Sequence, residues 1–139
     1  MPSLPAVAEN GSVEVYDLAG RLLSSVRPVG TVRTVELVWP QMAVLVRRQD
    51  GTQVIERYDA AKGALTASVV VPSAASDLAL GTGGLVYRVG RAIYTLRAGH
   101  PAIVWQAKAE PIGLSIEGRR SAWAVNIKGH GRIVALTLR

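Results

Sequence analysis

The chain has 139 residues, enough for one domain that buries about two-thirds of the surface its unfolded form exposes. Apolar residues make up 49% and charged residues 19%, which excludes a disordered chain, and the lack of cysteine excludes disulfides and thiolate chemistry. The net charge of +6 is uneven, −1 over residues 1–84 and +7 over residues 85–139. The opening "MPSLPAVAEN" has no charged n-region and no long apolar h-region, so no export signal is expected in the chain as given. No apolar run approaches the ~20 residues that cross a bilayer, so a soluble protein of unassigned location and no membrane partner is expected.

Taken in order, the chain reads as short strands divided by tight turns. "LPAVAE" (4–9), "SVEVYDL" (12–18) and "RLLSSVR" (21–27) come first. "TVRTVELVW" (31–39) then alternates apolar and polar residues, and "QMAVLVRR" (41–48) is a short apolar run ending in charge. "TQVIERYD" (52–59) alternates again, "AAKG" turns, and "ALTASVVV" (64–71) closes a group of four before Pro72. The next group is "SDLAL", "LVYRVG", "RAIYTL" and "PAIVWQA", with "GTGG" (81–84) as its first hairpin loop. "IGLSI", "SAWAVNI" and "RIVALTLR" form a last group, one strand short.

These groups repeat. Aligning Tyr16 on Tyr58 matches Glu14 to Glu56, Asp17 to Asp59 and, after one inserted residue, Gly20 to Gly63. Tyr94 and Leu136 take the tyrosine position in weaker third and fourth copies, giving spacings of 42, 36 and 42 residues. A four-stranded antiparallel unit recurring at about 40 residues is the signature of a β-propeller blade, because one such sheet has two apolar faces that only neighbouring sheets can cover. The expected fold is therefore all-β: about three blades of an incomplete β-propeller ring, in a single domain. It divides into a partial blade at 1–29, blades at 30–72 and 73–109, and a partial blade at 110–139. Asp at the recurring turn is expected to hold the turn backbone, and the tyrosine to pack.

"VEVYDLAGRLL" and "IERYDAAKGAL" resemble the strand–turn–strand piece of WD-repeat-like and YVTN-type β-propellers, which are commonly bacterial. The threonine usual before that glycine is Ala19 in one copy and Lys62 in the other. The resemblance implies a fold and carries no shared catalytic residues.

No residue set points to catalysis. His100 and His130 both lie in turns, and a metal site would need further ligands converging on them. "GTGG" leads into a strand rather than the helix a phosphate-cradling loop requires. Ser24 and Ser25 have no nearby histidine, and Asp17 and Asp59 occupy equivalent turns, which favours a structural role. Trp39, Trp105 and Trp123 are expected to be buried between blades. No cofactor, metal or catalytic residue is expected. The one surface with binding potential is the basic set Arg88, Arg91, Arg97, Arg119, Arg120, Lys128 and Arg132, several of them in loops or at strand ends. The expected role is a noncatalytic binding or scaffold module, part of a larger propeller or self-associating, with a second copy or another protein as partner. Half of a propeller enzyme and a polyanion-binding protein are the alternatives, and nucleic acid is disfavoured because the charges are scattered.

Overall fold

The computed structural model describes residues 3–8 and 10–139. The strand expected at 4–9 and the segment expected at 1–29 extend onto residues 1, 2 and 9, which lie outside the described residues. The described residues form an all-β chain of fourteen strands in four antiparallel sheets, and every strand pairs with its neighbour in sequence. The chain divides into two compact units, Met1–Ser73 and Ala74–Arg139.

The first unit holds two sheets. β1 (Ser3–Val7), β2 (Val13–Asp17) and β3 (Leu22–Val26) make three strands; β4 (Thr31–Val38), β5 (Gln41–Arg47), β6 (Gln53–Asp59) and β7 (Ala64–Val71) make four. The continuous apolar run Met42–Val46 forms β5 because that strand is buried on both faces, whereas β7 lies at a sheet edge and alternates. Val13, Val15 and Val26 of the smaller sheet pack on Met42, Val44, Val46, Val54 and Tyr58 of the larger. Each fully buried valine contributes about 1.5–3 kcal/mol of transfer free energy.

The second unit follows the same plan with the sheets exchanged. β8 (Ala75–Gly81), β9 (Gly84–Val89), β10 (Ala92–Arg97) and β11 (His100–Gln106) make four strands; β12 (Ile112–Glu117), β13 (Arg120–Ile127) and β14 (His130–Thr137) make three. Ala79, Val86 and Ile93 meet Trp123 and Val125 in its core. Gly83 donates its N–H to the carbonyl of Gly118 at 2.9 Å, joining the β8–β9 turn to the β12–β13 turn. A Cβ on Gly83 would lie 2.8 Å from that carbonyl oxygen, so the "GTGG" loop is glycine-rich because another backbone passes against it.

The repeat is visible in the irregularities of the ladders as well as in their order. The pairing shifts by a residue at Tyr16 in β2–β3, at Tyr58 in β6–β7 and at Tyr94 in β10–β11. A second shift recurs between Val32 and Thr34, Ser76 and Leu78, and Ile112 and Ser115. Bulges at equivalent places bend and twist each sheet alike. They also place Tyr94 in register with Tyr16 and Tyr58, where sequence similarity alone is weak.

Candidate interaction surface

The recurring turn is built as its residue types dictate. Asp17 Oδ1 accepts the backbone N–H groups of Ala19 and Arg21, both at 2.9 Å, and Asp59 Oδ1 accepts those of Ala61 at 3.0 Å and Lys62 at 3.2 Å. The Arg21 backbone N–H holds the Asp17 carboxyl below its ordinary value against the opposing effect of desolvation, with the Arg21 guanidinium and the Ala19 N–H adding to it. Tyr16 donates to the Glu14 carboxylate and Tyr58 to Glu56, so the tyrosine, aspartate and glutamate of the repeat serve the fold. His100 and His130 are exposed at the first residues of β11 and β14.

The basic set separates into distinct places. Arg88 on β9 is held between two carboxylates: Nε donates to Asp77 Oδ2 at 2.9 Å and Nη1 to Glu110 Oε1 at 2.5 Å. Partial burial works against its charge, yet these two hydrogen bonds outweigh it and raise the guanidinium above its ordinary value. Arg88 is thus neutralised in place. Arg91 extends from the β9–β10 turn and donates to the Lys108 carbonyl at 3.1 Å.

Antiparallel order and the Gly83–Gly118 bond fix where the others lie in the second unit. Arg97 at the end of β10, with Arg119 and Arg120 at the β12–β13 turn, shares one end of the strands with the β8–β9 turn. Arg91 and Lys128 occupy turns at the other end, and Arg132 lies near that end on β14. The structure therefore brings Arg97, Arg119 and Arg120 to one rim and Arg91, Lys128 and Arg132 toward the opposite one; all six are exposed.

A hollow absent from the sequence reading lies between β11 and β14. At one end it measures about 790 Å³ and is lined by Trp105, Lys108, Val125, Arg132 and Val134 among others. At the other end a smaller hollow of about 330 Å³ is bounded by Arg97, Ile103, Leu136 and Arg139. Together they follow β14 from Arg132 to its end. Trp123 is buried as expected, but Trp105 is not: 39% of its surface is exposed, its ring 5.9 Å from that of Trp123. The reason is local. β14 is the third strand of its sheet and carries no fourth strand, so nothing in the described residues covers the outer face of Trp105. Lys108 and Arg139, left out of the basic set read from sequence, belong to this groove.

No protein-family model matches the sequence, and a search of curated proteins finds no similar sequence. Solved structures do match. The β-propeller domain of the Trilobed protease from Pyrococcus furiosus superposes with a TM-score of 0.66 at 12% identity, over 97% of this chain and 50% of that one. BamB from Moraxella catarrhalis gives 0.60 at 12% identity, over 94% and 41%, and the Dos1 propeller 0.56 at 18% identity, over 99% and 41%. The chain spans about half or less of the length of each of these three propellers. At these identities the likeness is one of fold, and the fold is that of a β-propeller.

Proposed function

We propose that the chain is a noncatalytic binding module built from WD-repeat-like, YVTN-type blades, and that its partner is a protein engaged by the second unit. The observation that carries this reading is the groove between β11 and β14, chiefly apolar at its Trp105 end and bordered by exposed Lys108, Arg132, Arg97 and Arg139. An apolar seat with a charged rim is how protein interfaces are composed. The resemblance to YVTN-type repeats is supported by the shared Tyr-Asp turn, with its aspartate accepting the backbone N–H two residues on in both strong copies. Polyanion binding is the less favoured reading, because Arg88 is already paired and the remaining basic residues divide between two rims.

The test is binding of the 139-residue chain to immobilised heparin and to an array of acidic peptides, each at about 50 and 200 mM salt. Saturable peptide binding that survives the higher salt is expected. Binding to heparin alone, lost by several orders of magnitude over that salt range, overturns the reading in favour of a polyanion.

A further inference from the structure

We infer that the first unit carries a binding site of its own: a rim of arginines, where β4 begins and β5 ends, that seats a short acidic segment of a partner protein. It uses no residue of the β11–β14 groove, so neither site depends on the other.

Antiparallel order gathers the arginines. Arg47 ends β5 opposite Thr31, the first residue of β4, and Arg33 lies two residues along that strand. Arg48 opens the β5–β6 turn and donates its backbone N–H to the Thr52 carbonyl at 2.8 Å. Arg27 follows β3 and opens the loop 27–30 into β4, its Nη2 donating to the Asn10 carbonyl at 2.9 Å. That loop closes against β5, since a Cβ on Gly30 would lie 2.3 Å from the Arg47 carbonyl oxygen. With strands ~4.8 Å apart and a rise of ~3.3 Å per residue, the four arginines fall within about 10–15 Å. Four or five residues of extended chain cover that distance.

The charges here are largely unopposed. Arg27, Arg33 and Arg47 are exposed and Arg48 is half-buried. Among the described residues, Arg33, Arg47 and Arg48 make no ion pair, and their guanidinium groups no hydrogen bond. Asp50 is the one carboxylate in these turns among the described residues, and it is occupied: Oδ1 accepts the Thr52 N–H at 2.9 Å and the Thr52 hydroxyl at 2.6 Å. Asp17 and Asp59 cap turns at the opposite end of the strands, while Glu14 and Glu56 are held by Tyr16 and Tyr58. The net charge of −1 over residues 1–84 therefore conceals a separation of charge that only the fold produces.

The chemistry of the rim selects its occupant. A guanidinium fork matches a carboxylate, two N–H donors to two oxygens. Val29, 72% exposed in the loop 27–30, sets an apolar contact among the cations. Nucleic-acid bases stack on aromatic rings, yet Tyr16, Trp39 and Tyr58 lie toward the opposite end of the strands. An acidic peptide carrying one apolar side chain answers both features.

The probe is a fluorescein-labelled pentapeptide, Asp-Glu-Leu-Asp-Glu, titrated by anisotropy into the 139-residue chain at about 50 mM salt. Expected are saturable binding and new amide protection at residues 27–33 and 47–52. Arg33→Glu with Arg47→Glu is expected to lower affinity roughly tenfold or more, as loss of paired interfacial charge predicts. Arg91→Glu with Lys128→Glu, the same charge change placed on the second unit, is expected to alter it by no more than about twofold. Glycine in place of the peptide's leucine weakens binding several-fold through the lost apolar contact. Amide exchange of each variant without peptide, matching the parent chain, shows that folding is intact; Arg33→Gln with Arg47→Gln replaces the reversed pair if it does not match.

Equal losses in the two charge-reversed pairs overturn a local site in favour of attraction by net charge. Undiminished affinity for the glycine peptide overturns the apolar contact and with it the mixed occupant. A heparin hexasaccharide bound by the same arginines, with no binding of the peptide, overturns the protein segment in favour of a polyanion. Peptide that protects the β11–β14 groove and not residues 27–33 overturns this site while leaving the binding-module reading in place.

Discussion

Tyr58 donates its phenolic O–H to the carboxylate of Glu56, 3.1 Å away and two residues earlier on β6, and both residues are buried. Burial first, then the nearby Glu56 charge and the hydrogen bond to it, keeps Tyr58 protonated well above the ordinary tyrosine range. Replacing Tyr58 by Phe leaves a buried carboxylate without this donor, which costs about 1–3 kcal/mol. A drop in melting temperature of several degrees is expected for Tyr58→Phe by calorimetry. Tyr16→Phe, at the half-buried equivalent site, lowers it less.

Gly30 connects β3 to β4 at φ +137, and a Cβ there would lie 2.3 Å from the Arg47 carbonyl oxygen. Neither the conformation nor the space admits a side chain. Gly30→Ala is expected to cost about 3 kcal/mol or more through strain and displaced backbone. Gly131→Ala is the control, because a Cβ at Gly131 meets nothing within 4 Å. Urea titration in which the two variants lose equal stability refutes this account of Gly30.

Acid should weaken the first unit through two capping aspartates. Asp17 is held low chiefly by the Arg21 N–H, and Asp50 by the Thr52 hydroxyl and N–H. Their folded values lie below the ordinary 3.8, so the ionised forms favour the folded state above that value. That contribution disappears as pH falls through the depressed folded values. Thermal melts between pH 6 and pH 2 should show a decline below pH ~4 that is shallower in the Asp17→Asn, Asp50→Asn variant.

Arg88 ties Asp77 on β8 to Glu110 beyond β11. Both carboxylates are substantially exposed, so the pairs together contribute only about 1 kcal/mol and are weakened by salt. Arg88→Met is expected to lower the melting temperature by a few degrees in low salt and by less in 1 M salt. Heparin retention should be unchanged by this substitution, since the guanidinium is already neutralised.

Most of the architecture was legible because a repeated sheet writes two signals at once: apolar alternation within strands and turn residues between them. "ALTASVVV" at 64–71 coincides with β7, and the other strands fall within a residue or two of their expected places, β1 and β14 starting earlier than read. Tyr-Asp in two turns led to the capping geometry at Asp17 and Asp59. The surface was less legible, because charge spacing along a strand does not say which rim a residue reaches or what already neutralises it. Arg88 reads as a free cation in "LVYRVG", yet its partners are 11 and 22 residues away. Trp105 reads as core because tryptophan usually is. Its exposure depends on a neighbouring strand position left open, which no property of residue 105 encodes.

Strict neighbour-to-neighbour strand order also bears on how such a molecule changes over time. Each ladder of hydrogen bonds closes within a few dozen residues, so copying or deleting one blade-length stretch of gene leaves every remaining ladder whole. Only the apolar seam at the join must be repaired. Growth by duplication therefore meets little resistance, and the recurrence of a Tyr-Asp turn at Asp17 and Asp59 fits such growth.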